Sequence, residues 1–190
     1  LQLPRTYTLG LKQKKINGDW TALAAFEYVQ WSSLKAPQVS YAESGSSLAA
    51  SWSAGQAHFA LPAIPLYYRD SWFASLGADY RYSETTHLRA GLAYEKTPLG
   101  NHSQSTRLPD FNRIWASLGL SYQFTPQWSM DLAYLHIFML GESLKIDSNS
   151  TGYSQSLANS GFGTLQAKVN NRVEIVSLGL TYKFASGPAR

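Results

Sequence analysis

The chain has 190 residues, 44% of them hydrophobic, with a net charge of +4 and 15% charged residues, well below the roughly 25% of an average soluble domain. The lack of cysteine removes disulfides, thiolate metal sites and cysteine nucleophiles together. No run of about 18 apolar residues is present to form a membrane-spanning helix, and basic residues cluster only at Lys12, Lys14 and Lys15, too small a patch for a nucleic-acid surface.

In chain order, period-2 alternation of apolar with polar or small residues predicts seven strands: Arg5 to Lys12, Trp20 to Trp31, Ser71 to Tyr82, Thr86 to Tyr94, Arg113 to Phe124, Trp128 to Met139 and Val173 to Phe184. The first begins almost at the N-terminus with no leader before it, so an exported protein implies an upstream part. A short pattern recurs inside the strands, as Thr8-Leu9-Gly10-Leu11, Ser75-Leu76-Gly77-Ala78, Arg89-Ala90-Gly91-Leu92, Ser117-Leu118-Gly119-Leu120 and Ser177-Leu178-Gly179-Leu180. In the fifth strand Ile114, Ala116, Leu118, Leu120, Tyr122 and Phe124 share one face, while Arg113, Ser117, Gly119, Ser121 and Gln123 share the other.

A soluble sandwich alternates in the same way, so the connections and aromatics carry the distinction. Short turns around Asn17-Gly18-Asp19, Ser83-Glu84 and Thr125-Pro126-Gln127 alternate with long segments from Ser32 to Asp70, Glu95 to Asn112 and Leu140 to Arg172. Outer-membrane barrels show this asymmetry, with tight periplasmic turns and long extracellular loops. With the short turns at one rim, Trp20, Tyr80, Tyr122, Trp128 and Tyr182 fall near it on the outward parity, and Tyr28, Trp72, Tyr94 and Phe138 near the other rim. Two such girdles suit rings at both headgroup levels, whereas core aromatics would be spread along the strands.

The inward parity collects Glu27, Asp79, Arg81, Arg89, Arg113, Asp131 and Lys183. Charge is tolerated in a lumen but costs about 2 to 4 kcal/mol per Arg or Lys at the lipid midplane. Counting back across the Ser83-Glu84 turn sets Asp79 opposite or diagonal to Arg89 and predicts an ion pair. Glu27, Asp79, Arg89, Arg113 and Asp131 are the candidate lumen-lining charges, and Arg89 and Arg113 are candidates to meet a carboxylate head; the alternative is that these charges only hold the wall in register. The segment from Trp52 to Leu66, with Trp52, Phe59, Leu61, Ile64 and Leu66, is apolar for a loop and is either a capture surface for a hydrophobic ligand or a lid packed over the barrel mouth. His136 and Asp131 have opposite parity, pairings of the loop residues His58 or His102 with Asp70 or Asp110 are a weak signal, and each repeat glycine lies within a strand, so neither a catalytic triad nor a phosphate loop is expected.

Leu88 to Tyr94, then Thr97-Pro98, Leu108-Pro109-Asp110 and Arg113-Ile114-Trp115, together with Phe26 to Trp31 and the closing Tyr182-Lys183-Phe184, make the chain resemble the FadL and TodX type of outer-membrane transporter from about Pro4 to Phe184. The resemblance implies an all-β transmembrane antiparallel β-barrel of fourteen strands, plugged by an N-terminal hatch, that takes up long-chain fatty acids or aromatic hydrocarbons. Residues 1–184 would be its C-terminal seven strands and 185–190 a tail, a departure from the family's usual ending on an aromatic residue. The hatch and the other barrel half would lie upstream of Leu1. The implied partners are hydrophobic small molecules, outer-membrane lipid and the missing half of the barrel, with no cofactor, metal, nucleic acid or enzymatic activity. A general porin or structural barrel is the alternative, and it would show open ion conductance in place of ligand uptake.

Overall fold

Alternation along each segment gives every strand two chemically different faces, and antiparallel pairing aligns those faces across neighbours. In a computed structural model, which describes residues 3–16, 18–34, 67–100, 103, 104, 106, 109–148, 150 and 164–184, nine strands form: β1 Arg5–Ile16, β2 Trp20–Gln30, β3 Ser71–Arg81, β4 Thr86–Glu95, β5 Arg113–Gln123, β6 Trp128–Met139, β7 Ser143–Ile146, β8 Leu165–Lys168 and β9 Arg172–Tyr182. Seven make one sheet in the order β1-β2-β3-β4-β5-β6-β9, every neighbour antiparallel. Among the described residues it is open, with β1 and β9 as its edges, and no closed barrel forms.

The seven expected strands are present with shifted ends. β1 continues past Lys12 because Gln13 and Lys14 keep pairing with Ala22 and Thr21. Trp31 begins a 3-10 turn, Trp31–Ser33, instead of ending β2. Tyr82 and Phe124 belong to turns, where their N–H groups donate to the carbonyls of Thr86 at 3.0 Å and Trp128 at 3.0 Å. Gly18 supplies the positive φ of 88° that the β1–β2 turn requires. β4 gains Glu95 and β9 gains Arg172. The segment from Leu140 to Arg172, expected to be only a loop, carries the two-stranded ribbon β7–β8. Its inward residues Leu144 and Ile146, with Ile137 of β6, are the buried apolar side chains among the described residues.

A water-soluble sandwich would hide one face of this sheet against a second layer. Here Leu76, Leu92, Leu118, Leu178 and Leu180 are each 62–70% exposed on one face, with no layer over them among the described residues. This face, the aliphatic face, has a regular architecture. Trp20 and Tyr28, Tyr80 and Trp72, Tyr122 and Ile114, Trp128 and His136, and Tyr182 and Glu174 are each eight residues apart on one strand. Register places Trp20 opposite Tyr80, Thr86 opposite Tyr122, and Trp128 opposite Tyr182, so the lower band steps by two residues at every second strand. Stacked or tilted rings tie the bands, with centroids 4.5 Å apart for Trp20 and Tyr80, and 4.9 Å for both Trp72–Tyr94 and Trp128–Tyr182. At the upper end of β6 and β9 the aromatic positions pass to a polar group, where His136 Nδ1 and Arg172 Nε lie 3.4 and 3.0 Å from Glu174.

Candidate functional site

The opposite, polar face carries all five charged residues singled out from the sequence: Glu27, Asp79, Arg89, Arg113 and Asp131 share it by register. They separate into two tiers. Toward the short turns, Asp79 lies directly opposite Arg89, whose Nε donates to Asp79 Oδ2 at 2.7 Å. The second Asp79 oxygen faces His87 Nδ1 at 2.9 Å. Arg89 Nη1 also approaches Asp131 at 3.7 Å, and Asp131 accepts from the Ser121 hydroxyl. Toward the long connections, Arg113 Nη2 sits 2.9 Å from Glu95 and 3.4 Å from Asp110. The Trp115 indole donates to the other Glu95 oxygen at 3.0 Å, and Thr97 donates to Asp110 at 2.6 Å. Glu27 stands apart and accepts from Thr8 at 3.3 Å, its one hydrogen bond among the described residues.

Arg89 and Arg113 each have two carboxylates within 4 Å, while the buried Arg113 Nε has no hydrogen-bond partner among the described residues. Between the tiers run two register rows that are uncharged except at the edge strand. One is Gly10, Ala25, Ser75, Ala93, Trp115, Ile137 and Val173; the other is Lys12, Leu23, Gly77, Gly91, Ser117, Leu135 and Ile175, with Lys12 its single charge. Here the repeat glycines have a physical meaning that the sequence pattern left open. Gly10, Gly77, Gly91, Gly119 and Gly179 all point to this face, and Ala25 and Ala133 complete one small residue per strand along a line parallel to the aromatic bands. A concavity of about 790 Å³ lies on this face, lined by Gly10, Gly77, Gly91 and Gly119 and bordered by Leu23, Phe73, Trp115, Leu135, Arg89, Asp131 and Lys12. Phe73 and Trp115 meet edge to face within it at 6.3 Å. A larger hollow of about 1140 Å³ on the aliphatic face is lined mainly by alanines and leucines, with Phe26, Tyr94, Ile114 and Tyr134, and with no charged group.

Trp52, Phe59, Leu61, Ile64 and Leu66 lie outside the described residues. Glu95, Asp110, His87, Phe73 and Trp115 were missed as site residues. Parity alone identifies His87, Phe73 and Trp115, two residues from Arg89, Ser75 and Arg113 respectively; Glu95 and Asp110 fall in the connection that the sequence predicts from Glu95 to Asn112. His136 lies on the aliphatic face and Asp131 on the polar one, as expected. Ser121 is opposite His87 in register, and its hydroxyl donates a hydrogen bond to Asp131 and not to the His87 ring. Just outside the strands, Asp70 accepts from Tyr28 Oη at 2.5 Å and from the Ser32 N–H at 3.0 Å, bonds that hold its carboxyl below the ordinary carboxylate range.

Residues 1–184 match the family described as outer membrane protein transport protein (OMPP1/FadL/TodX). Outer membrane protein P1 of Haemophilus influenzae is 42% identical over 72 residues, 38% of this chain and 16% of that protein. A long-chain fatty acid transport protein of Escherichia coli is 31% identical over 103 residues, 51% of this chain and 22% of that one. A Pseudomonas aeruginosa FadL homologue of known structure superposes over 96% of this chain and 36% of its own, with a TM-score of 0.70 and 26% identity. The TodX monoaromatic hydrocarbon channel shares the fold at a TM-score of 0.61 and 19% identity. The chain therefore spans less than a quarter of those two curated relatives.

Proposed function

Because the chain belongs to the OMPP1/FadL/TodX family of outer membrane transport proteins, which are transporters and not enzymes, we propose that it is the C-terminal half of a fourteen-stranded barrel for uptake of hydrophobic compounds, either long-chain fatty acids or aromatic hydrocarbons. In this proposal the polar face lines the lumen, the aliphatic face meets lipid, and the hatch and remaining strands come from upstream sequence. Residues 185–190 form a tail. The apolar segment containing Trp52, Phe59, Leu61, Ile64 and Leu66 is the capture surface that hands ligand to the wall.

The observation that supports this most is the concavity on the polar face, whose floor between the tiers carries apolar and small residues with charge only at its borders. An apolar ligand needs room and apolar contact, and here Leu23, Phe73, Trp115 and Leu135 border the room with apolar side chains.

Gly77→Phe in the full-length protein tests it. A Cβ there would meet only ordinary contacts, 3.5 Å to the Ala90 carbonyl and 3.8 Å to Leu23, so the strand is expected to form while the ring fills the concavity. In a deletion strain, the variant should reach the outer membrane at the normal level yet lose uptake of labelled oleate and toluene. Unchanged uptake of both would refute the role of the concavity, and steady ion conductance without uptake in the parent protein would make the chain part of a porin.

A further inference from the structure

The connection of residues 96–112 is bound back onto the wall, and its bonds converge on the upper tier. Lys96 N–H donates to the Trp72 carbonyl at 2.9 Å, Thr97 N–H to Asn112 Oδ1 at 3.0 Å, and the Gln104 amide to the Asp110 carbonyl at 3.0 Å. Arg113 then joins connection to wall through a single nitrogen: Nη2 faces Glu95 at 2.9 Å and Asp110 at 3.4 Å, while the buried Nε has no partner among the described residues. The Arg113 and Glu95 side chains are 21% and 26% exposed, so solvent screens their contact less than that of the half-exposed Arg89. Register sets Glu95 between Phe73 and Arg113, and its second oxygen accepts from the Trp115 indole N–H. An unbroken series of contacts, Asp110 to Arg113 to Glu95 to Trp115 to Phe73, therefore leads from the connection to the border of the concavity.

From this series we infer that Glu95 is a positioning residue for the transport role proposed above, on which the inference rests: it holds the Trp115 ring at the concavity and ties that ring to the connection. An indole has one polar edge, and a partly buried ring turns to give that edge an acceptor. With the N–H committed to Glu95, the apolar part of the ring is left to Phe73 and the concavity. A carboxylate suits this position because it has two acceptor oxygens, one for the indole and one for the guanidinium. An amide has one acceptor, and its NH2 donors would face either Trp115 or Arg113. Asp110 shares the same Arg113 nitrogen, so the hold of Arg113 on Glu95, and with it the ring, depends on whether the connection is docked. A Glu95 that only kept the wall in register would leave binding in the concavity unaltered.

Fluorine NMR of the full-length detergent-solubilised protein labelled with 5-fluorotryptophan tests this, the Trp115 resonance being assigned by its loss in Trp115→Phe. Toluene and oleate are the probes. Glu95→Gln should shift the Trp115 resonance and weaken both probes at least about fivefold, the scale of one charged hydrogen bond partly screened by water. In a Trp115→Phe background the same substitution should change binding less than about twofold, because Glu95 acts through the ring. Asp110→Asn should shift the Trp115 resonance as well. If Glu95→Gln fails to fold, Glu95→Asp, which keeps the charge and withdraws the carboxylate by one methylene, is expected to give the same shift and weakening. Unaltered affinity in the folded variant, or an equal loss with and without Trp115, would overturn the positioning role and leave transport standing. A Trp115 resonance indifferent to Asp110→Asn would overturn the tie to the connection. If the parent protein binds neither probe, the transport role falls and this inference falls with it.

Discussion

Replacing Leu118 by arginine puts a charge midway between the two bands of the aliphatic face, since Leu118 is four residues from Tyr122 below and four from Ile114 above. At about 3.3 Å per residue, the guanidinium base lies about 13 Å along the strand from either band. An arginine side chain extends about 6 to 7 Å, so it cannot bring its charge fully to either interface. The full midplane penalty of about 2 to 4 kcal/mol should apply, a reduction of roughly thirtyfold to sevenhundredfold in the folding equilibrium. Thr86→Arg is the control, because Thr86 lies on the same face at the level of the lower band, opposite Tyr122, where the cost falls to about 0 to 1 kcal/mol. Reversible guanidinium unfolding of the full-length protein from phosphatidylcholine vesicles measures both. If Leu118→Arg costs no more than Thr86→Arg, then the aliphatic face does not meet lipid, and the assignment of the two faces falls with it.

Other outcomes follow from the ion pairs, the rim and the edges. A double-mutant cycle with Asp79→Asn and Arg89→Gln should give a coupling of about 1 kcal/mol or less, because Arg89 is half exposed and solvent screens the 2.7 Å contact; a much larger value would mean the face is closed off from water. Tyr28→Phe should raise the pKa of Asp70 by removing its main donor. Since the native pKa is lowered, the stability gap between parent and variant should be full above about pH 4 and close as pH falls through the native value, and a gap that widens with acid would contradict the assignment. The isolated 190-residue chain presents unpaired edges on β1 and β9, so it should aggregate or associate unless co-expressed with the upstream half; a stable monomer without detergent, seen by sedimentation, would refute this.

The strands and their faces were legible because one physical pattern, alternation, fixes both at once. Asp79 opposite Arg89 could be counted across a tight turn, where register is set by a few backbone bonds. The partners of Arg113 could not. Glu95 lies one residue beyond the last strong alternation and Asp110 sits in a connection, so only the folded chain brings them to one guanidinium. The β7–β8 ribbon was hidden for a similar reason: four residues a side carry too little periodicity to stand out from a loop. The repeated glycines were conspicuous as a motif yet mute about their role, which depends on a line running across strands and not along any of them.

That line, and the aromatic bands parallel to it, also fix the slope of the wall. A step of two residues at every second strand is about 3.3 Å of climb for each 4.8 Å of lateral spacing, which tilts the strands about 35° from the membrane normal. Eight residues from band to band, about 26 Å along a strand, then project to about 22 Å of height. The wall is therefore cut for a thin hydrocarbon layer, as bacterial outer membranes have. Vesicles of long-chain lipids would have to pinch around it, so the chain carries in its register a preference for the membrane it is meant to enter.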